Sequence, residues 1–527
     1  MKPILLAALI LPAFAQAYQS GKTYRLTVLH TNDTHGRFWP NERGEYGMAA
    51  HQTLVKQIRN EVKQKGGSLI ILSAGDINTG VPESDIHNAR PDIEAMNAIG
   101  YEAMTLGNHE FDNPLQMLGM QEQWAKFPFI SANIRHKHSG LHLVKPYTLL
   151  SKQGLRIAVV GLTTEDTAVS ANLNYTRSLN FDNAAQAARS TLQNLSGRKP
   201  DITIALTHLG YHSDIKLARG LPPQTFDMII GGHSHHTVCV DGNGQLNKDY
   251  RPGQSCRPDF QNGTWIMQAG EWGKYLGRAD FSFTNGKLTL ESYRLIPVNL
   301  KQKTETADGK TEYTLIQPEI PPDKKLAAKL KRYQDKADKK LGIRIGSSTA
   351  KLEGDRSIVR RQPTNLGRLI AHAQRVRTRS DLSVMNSGGI RDSIQAGTVT
   401  YKDILRVQPF GNLIGHVGLT GSELQNYLQT LSRMPPGSGG YPQFDNVSFD
   451  TDATGNIGNI RIGGQALQAG KTYRLSLSDY LANGSDGYPK LSDNPSYVNT
   501  GFVDAEVLKH YFEQHSPIDA AQFEPEN

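Results

Sequence analysis

Apolar positions along the chain fall into short runs rather than long stripes. The runs Tyr24–His30, Ser68–Ala74, Ala103–Leu106, Phe127–Ala132, Leu155–Leu162, Ile202–Thr207, Asp227–Ile230, Thr264–Ala269, Arg278–Phe283 and Leu288–Val298 are continuous or alternating, and each has strand length. Helical spacing separates the early ones, over Ala50–Lys65, Ile93–Ala98 and Ala184–Leu195. The pattern predicts strand and helix in alternation, finishing as a β-meander, and so a layered α/β domain. After Pro321-Pro322, the segment Asp323–Leu341 is rich in Lys, Ala, Asp and Leu, with Asp323 suited to an N-cap and Gly342 to a terminator, which predicts one helix between two halves. Strands resume at Asp381–Met385, Leu413–Leu419, Ile457–Ile462 and Tyr473–Leu477, with helices at Thr364–Val376 and Ser422–Leu431. The expected organisation is a first domain over 18–322, a linker helix over 323–342 and a second α/β domain over 343–527.

Composition narrows the class. A chain of 527 residues with 38% hydrophobic and 20% charged positions is too long for one small module and too apolar for a disordered protein. The formal charge of +8 favours anionic ligands, but no helix-turn-helix, zinc-finger or aromatic RNA-binding signature accompanies it, so nucleic acid is not the expected partner. Lys2, the apolar run Ile4–Phe14 and Ala15-Gln16-Ala17 read as an export signal cleaved after Ala17, and the run falls short of the roughly 20 residues a bilayer span needs. No lipid-accepting cysteine follows, and Phe523–Asn527 forms no hydrophobic tail. The expectation is a periplasmic monomer without a membrane anchor. The 2 cysteines, Cys239 and Cys256, are expected to form a disulfide in that oxidising compartment.

The candidate chemistry follows the strands of the first half. Tyr24–His30 runs into Asn32-Asp33-Thr34-His35, Ser68–Ala74 into Gly75-Asp76, and Ala103–Leu106 into Gly107-Asn108-His109-Glu110. Ile202–Thr207 runs into His208, and Asp227–Ile230 into Gly231-Gly232-His233-Ser234-His235. Carboxyl ends of neighbouring strands in an open α/β sheet share one crevice, so groups distant in sequence can converge there. Asp33, His35, Asp76, Asn108, His208, His233 and His235 make a nitrogen and oxygen donor set without thiolate, suited to two cations such as Zn, Mn, Co or Fe(II) with Asp76 between them. The Asp33-x-His35 and His233-x-His235 pairs are each expected to present two ligands on one side of an extended segment. Such a cation pair activates water for attack on a phosphoryl group. His109, oriented by Asp112, is the candidate to stabilise phosphoryl charge or protonate the leaving group.

These blocks resemble the signature of calcineurin-like metallophosphoesterases. More narrowly, Thr31–Gly36, Gly107–Asp112 and Gly232–His235, with Gly388–Arg391, Gln408–Asn412 and Asp486–Pro489 in the second half, are similar to the 5′-nucleotidase family. Asn78–Asp85 and Glu271–Tyr275 resemble its periplasmic members that also hydrolyse UDP-sugars. The resemblance implies a four-layer αββα dimetal domain, a nucleoside-binding second domain and an active site between them. It also implies nucleotides and nucleotide sugars as partners. Where His235 stands, family members carry Gln, His or Asn.

In the second half Arg356, Arg360 and Arg391 supply guanidinium forks for an anion, which by analogy with the family is the phosphate end of the substrate. The family match makes Phe410 and Tyr480 a base-stacking pair. Asn412 is a candidate for the base edge, Asp486 for ribose hydroxyls, and Gly439 for close backbone approach. The chemistry leaves other readings open: a 2′,3′-cyclic-nucleotide phosphodiesterase with 3′-nucleotidase activity, a nucleotide receptor without catalysis, or a nonspecific anion binder.

Overall fold

The computed structural model describes residues 18–171, 173–305, 311–452 and 454–525; segment 1–17, expected to be an export signal, lies outside the described residues. The first half contains β1 (Thr23–Thr31), β2 (Ser68–Ser73), β3 (Ala103–Thr105), β4 (Phe129–Ile130), β5 (Tyr147–Lys152) and β6 (Leu155–Thr163). It continues with β7 (Ile202–His208), β8 (Met228–Ile230), β9 (Asp259–Gln261), β10 (Thr264–Met267), β11 (Tyr275–Thr284) and β12 (Lys287–Pro297). They build two six-stranded sheets, ordered β12-β11-β1-β2-β3-β4 and β9-β10-β8-β7-β6-β5. Strands β1 to β4 run parallel in one sheet, and β6, β7, β8 and β10 in the other.

Alternation along each strand separates two buried faces. Leu26, Val28, Ile70 and Leu72 meet Ile157, Val159, Ile204 and Leu206 between the sheets. Leu29 and Ile71 turn the other way, onto α1 (Met48–Gln64) and α2 (Arg90–Ile99), while Ala158, Val160 and Ala205 turn onto α3 (Ala184–Leu195) and α4 (Tyr211–Gly220). The result is four layers, αββα. Strands covered on both sides read as unbroken apolar runs, which is why those runs were legible and their partition between two sheets was not.

The expected closing meander is corrected. β10 stays in the second sheet beside β8, whereas the β11–β12 hairpin crosses to the first and pairs with β1. The connecting segment 268–274 passes beneath the strand-end crevice. There the Ala269 N–H donates to Asn32 Oδ1 at 2.8 Å and the Trp272 N–H to the Asp33 carbonyl at 2.7 Å.

Helix α5 (Lys324–Leu341) follows, capped by the Asp323 side chain, which accepts from the Leu326 N–H at 3.0 Å. Leu326 and Leu330 sink into the first-half core, and Lys329 pairs with Glu94 at 3.0 Å, so this helix is docked on the first half. The second half contributes α6 (Asn365–Thr378), β13 (Leu382–Asn386), β14 (Leu413–Thr420), α7 (Gly421–Ser432), β15 (Pro442–Asp445), β16 (Thr472–Ser478), β17 (Val498–Val503) and α8 (Asp504–His515). Its five-stranded sheet, ordered β15-β13-β16-β14-β17, carries α6 and α8 on one face and α7 on the other. The strand Ile457–Ile462 pairs in a separate three-stranded sheet.

Cys239 and Cys256 form a disulfide across 17 positions, with both side chains in the inter-sheet core. Closing a loop of this size stabilises by about 3 kcal/mol on the chain-entropy account. The double variant Cys239→Ser/Cys256→Ser is therefore expected to lose about that much stability in urea unfolding. Wild type in reductant should match it.

Candidate active site

The strand ends meet. Asn32, Asp33 and His35 follow β1, Asp76 follows β2, Asn108 and His109 follow β3, His208 closes β7, and His233 and His235 follow β8. Their convergence does not come from extended pairs. Asp33, His35, Asp76, His233 and His235 all lie in the left-handed region, with φ between 48 and 77°. The expected extended geometry is thus corrected, because a left-handed residue breaks strand alternation and re-aims each side chain separately; Asp33 and His35 still share one cluster. His233 and His235 in fact part company: His233 Nδ1 lies 2.9 Å from Asn108 Oδ1, and His235 Nε2 lies 3.3 Å from Asp33 Oδ1. Asp, Asn and His tolerate this backbone better than most residues, and strain of this kind collects at functional sites. Close approach also needs glycine at two points. A Cβ on Gly107 would sit 2.2 Å from Asp76 Oδ1, and one on Gly232 would sit 2.7 Å from the Ala74 carbonyl.

Two groups result, with Asp76 between them. In one, His35 Nε2 lies 3.2 Å from His235 Nε2 and 4.0 Å from Asp76 Oδ2. In the other, His208 Nε2 lies 3.0 Å from Asp76 Oδ2 and 3.9 Å from Asp33 Oδ1. His35 Nδ1 donates to the Thr79 carbonyl at 2.8 Å and His208 Nδ1 to the Ala74 carbonyl at 2.6 Å, so Nε2 is the ring nitrogen that each aims inward. His208 Nε2 is buried without a hydrogen bond. Metal–nitrogen bonds of about 2.0–2.1 Å place adjacent ligands of a tetrahedron roughly 3.3 Å apart, the scale of these gaps.

The electrostatics agree. Burial holds His35 at a pKa of about 3 and His233 at about 4, leaving both neutral and able to bind metal. Burial opposes a charge on His208 as well, but Asp76 and Asp33 outweigh it and raise the group to about 10. The carboxylates thus draw a proton onto a fully buried imidazole, the mark of a site short of positive charge. The donor set and its unsatisfied nitrogen fit divalent cations.

His109 Nδ1 donates to Asp112 Oδ2 at 2.6 Å, and the His109 N–H to Asp76 Oδ1 at 3.0 Å. Burial alone would lower the His109 pKa; Asp112 and Asp76 raise it to about 9. Beside it opens a cavity of about 520 Å³ lined from both halves, by Asp76, Asn108, His109, Asp112, His233 and His235 on one side. Arg356, Arg360, Arg391, Phe410, Asn412, Gly439, Tyr480 and Asp486 line the other. Asp33, His35 and His208 lie beneath its floor, almost fully buried.

Burial, then mutual repulsion, pushes Arg360 down to about 9 and Arg391 to about 10, and Arg360 Nε has no partner. Three crowded guanidiniums can hold an anion. Phe410 stacks on His109, with centroids 5.6 Å apart and planes 14° from parallel, and carries Arg391 at 5.4 Å over its ring. Tyr480 donates to Asp486 Oδ1 at 3.1 Å, and Asn412 Nδ2 donates to Asp504 at 3.2 Å, leaving the Asn412 amide oxygen as an acceptor.

Sequence reasoning assigned no part to four residues that organise this site. Glu110 accepts the Gly107 N–H at 2.7 Å, the Asp76 and Ile77 N–H groups at 2.9 Å, and Asn78 Nδ2 at 3.0 Å, tying the β2 and β3 loops together. Asn32 bridges Asp33 Oδ2, at 2.6 Å, to the crossing segment. Glu271 binds His235 Nδ1, and Asn386 donates to Asp486 Oδ2 at 2.7 Å. An acid inside Gly107–Asp112, between His109 and an apolar residue, was the available signal for Glu110; the others show only in three dimensions.

Comparison with known proteins agrees with this architecture. Residues 26–237 match the calcineurin-like phosphoesterase model and 344–493 the 5′-nucleotidase C-terminal domain model. A 5′-nucleotidase of Vibrio cholerae is 50% identical across 100% of this chain and 98% of its own. Protein UshA of Escherichia coli K12 is 50% identical, covering 97% of this chain and 95% of its own. The crystal structure of a 5′-nucleotidase precursor from Thermus thermophilus covers 93% of this chain and 96% of its own, with a TM-score of 0.75 at 28% identity. Fold and site define a metallophosphoesterase, a class of hydrolases that use divalent metals. Within it, the chain belongs to the 5′-nucleotidase family.

Removing the Glu110 carboxylate would strand three buried N–H groups at about 1–3 kcal/mol each. Glu110→Ala is expected to lose at least about 3 kcal/mol in urea unfolding, more than a surface Glu→Ala substitution gives.

Proposed function

We propose that this protein is an exported dimetal hydrolase that cleaves nucleoside 5′-monophosphates to nucleoside and phosphate, and UDP-sugars to UMP and sugar 1-phosphate, in nucleotide salvage. One observation carries the reading: across a single cavity, a carboxylate and imidazole cluster short of positive charge faces three guanidiniums short of negative charge. A phosphoryl group with cations beneath it satisfies both. Relatives named 5′-nucleotidase and UshA support the substrate class.

In this reading residues 18–322 hold the metals, 343–527 hold the nucleoside and 323–342 link them. Asp33, His35, Asp76 and His235 bind one cation and Asp76, Asn108, His208 and His233 the other, with Zn, Mn or Co as the expected ions. Two divalent cations, when bound, supply an attacking water at neutral pH and polarise the phosphoryl oxygens. The chain's own residues do the rest. Arg356, Arg360 and Arg391 hold the anion. His109, kept cationic by Asp112, points Nε2–H toward the cavity to offset phosphoryl charge or protonate the leaving oxygen. Phe410 and Tyr480 stack the base, Asn412 accepts from its edge, Gly439 lets the backbone close in, and Asp486 accepts from ribose hydroxyls. The site is complete within one chain, which supports a monomer. Among the described residues no helix is long and apolar enough to cross a membrane, and the export signal with cleavage after Ala17 supports a periplasmic location.

Dialysis against EDTA should abolish phosphate release from AMP, and Mn, Co or Zn salts should restore it. The restored enzyme is expected to turn over AMP and UDP-glucose faster than 2′,3′-cyclic AMP; the reverse order would overturn the substrate assignment. His109→Asn should cut kcat for AMP about 10²- to 10⁴-fold, and KM should stay within about threefold because the arginines and the aromatic pair still bind the substrate.

A further inference from the structure

Glu271 stands in the segment that crosses between the sheets, on the side of His235 away from the cluster. His235 Nε2 faces Asp33 Oδ1 at 3.3 Å and His35 Nε2 at 3.2 Å, whereas His235 Nδ1 meets Glu271 Oε2. The other Glu271 oxygen accepts from Lys274 Nζ at 2.9 Å. The turn is pinned on both sides: the Trp272 N–H donates to the Asp33 carbonyl at 2.7 Å, and Arg37 and Lys274 sit over the Trp272 ring at 4.0 and 4.1 Å.

A second group contends for the same nitrogen. Arg356 Nη1, from the other half of the molecule, lies 3.1 Å from His235 Nδ1. A guanidinium only donates, so a bond from Arg356 requires a lone pair on Nδ1 and puts the imidazole hydrogen on Nε2, facing the cluster. A carboxylate only accepts, so Glu271 requires the opposite form, with hydrogen on Nδ1 and a free lone pair on Nε2. The two tautomers differ in the one property a metal ligand needs.

We propose that Glu271 is a positioning residue that holds His235 in its Nδ1–H form, so that Nε2 offers its lone pair to the cation beside Asp33 and His35, and denies that nitrogen to Arg356. This rests on His235 being a metal ligand. It also makes a sharp distinction from a Gln ligand at position 235, whose amide oxygen offers lone pairs without any proton to place.

The test uses metal-stripped full-length mature protein titrated with Co(II), read by calorimetry and by the visible absorption of the bound ion. Wild type should take up two ions. Glu271→Gln is isosteric and should weaken one of the two sites about 10- to 100-fold while leaving the other within about twofold. The melting temperature of the metal-free form should not move. In a His235→Gln background, adding Glu271→Gln should change Co(II) affinity by less than about twofold, since no tautomer remains to be set. Unchanged affinity in Glu271→Gln, equal loss at both sites, or the same loss in the His235→Gln background would each overturn the proposal. A wild type that binds no Co(II) would instead overturn the metal reading beneath it.

Discussion

Asp33 and Asp76 are carboxylates removed almost completely from water, and the surrounding structure follows from what that costs. Ionised groups in such a setting need compensating charge within a few ångströms or they take up a proton. Here the imidazoles of His208 and His235 close in on them and become more basic in doing so. The field of the two carboxylates therefore determines which histidines are neutral, which hold a proton that a cation would replace, and where a positive ion is most stable. It also reaches His109, whose raised basicity comes from Asp112 first and Asp76 second.

Holding that arrangement together is expensive in backbone terms. Five of the converging side chains rise from left-handed residues, and the loops that carry them touch through hydrogen bonds such as the Asp33 N–H to the Gly75 carbonyl and the His35 N–H to the Asp76 carbonyl, both 3.0 Å. Such conformations persist only where neighbouring structure over-determines them. Glu110 does much of this, since one buried carboxylate satisfies N–H groups from two loops at once. The sheets beneath supply rigidity, with both faces of the central strands buried and no freedom for register to slip.

The second half completes the site by opposite means. Its sheet and helices make an ordinary layered core, and the cavity side presents guanidiniums whose burial and crowding make them want an anion. The halves touch through unlike groups: Lys402 pairs with Glu83 at 2.5 Å, and Phe410 lies flat on His109. A phosphate with divalent cations, placed between the carboxylate and imidazole cluster and the arginines, would relieve both charge imbalances.

Much of this was legible in the chain alone. Helix α3 was expected at the residues it occupies, the α5 cap at Asp323 was expected from its position, and the strands that feed the crevice lay where their apolar runs put them, because period and capping are local properties. Short edge strands and helices whose apolar face is completed by distant neighbours, such as α4 and α8, left no comparable local trace. The residue types able to bind metal could be nominated because they followed strands, and chemistry limits which side chains do that work. Only the tertiary structure decided that β10 and β11 part into different sheets, that His233 and His235 serve opposite groups, and that Glu110, Asn32, Asn386 and Glu271 stand behind the residues facing the cavity. Those outcomes depend on backbone turns into left-handed conformations and on pairings across distant segments, and no short stretch of sequence carries the energy of a contact whose other half lies elsewhere in the chain.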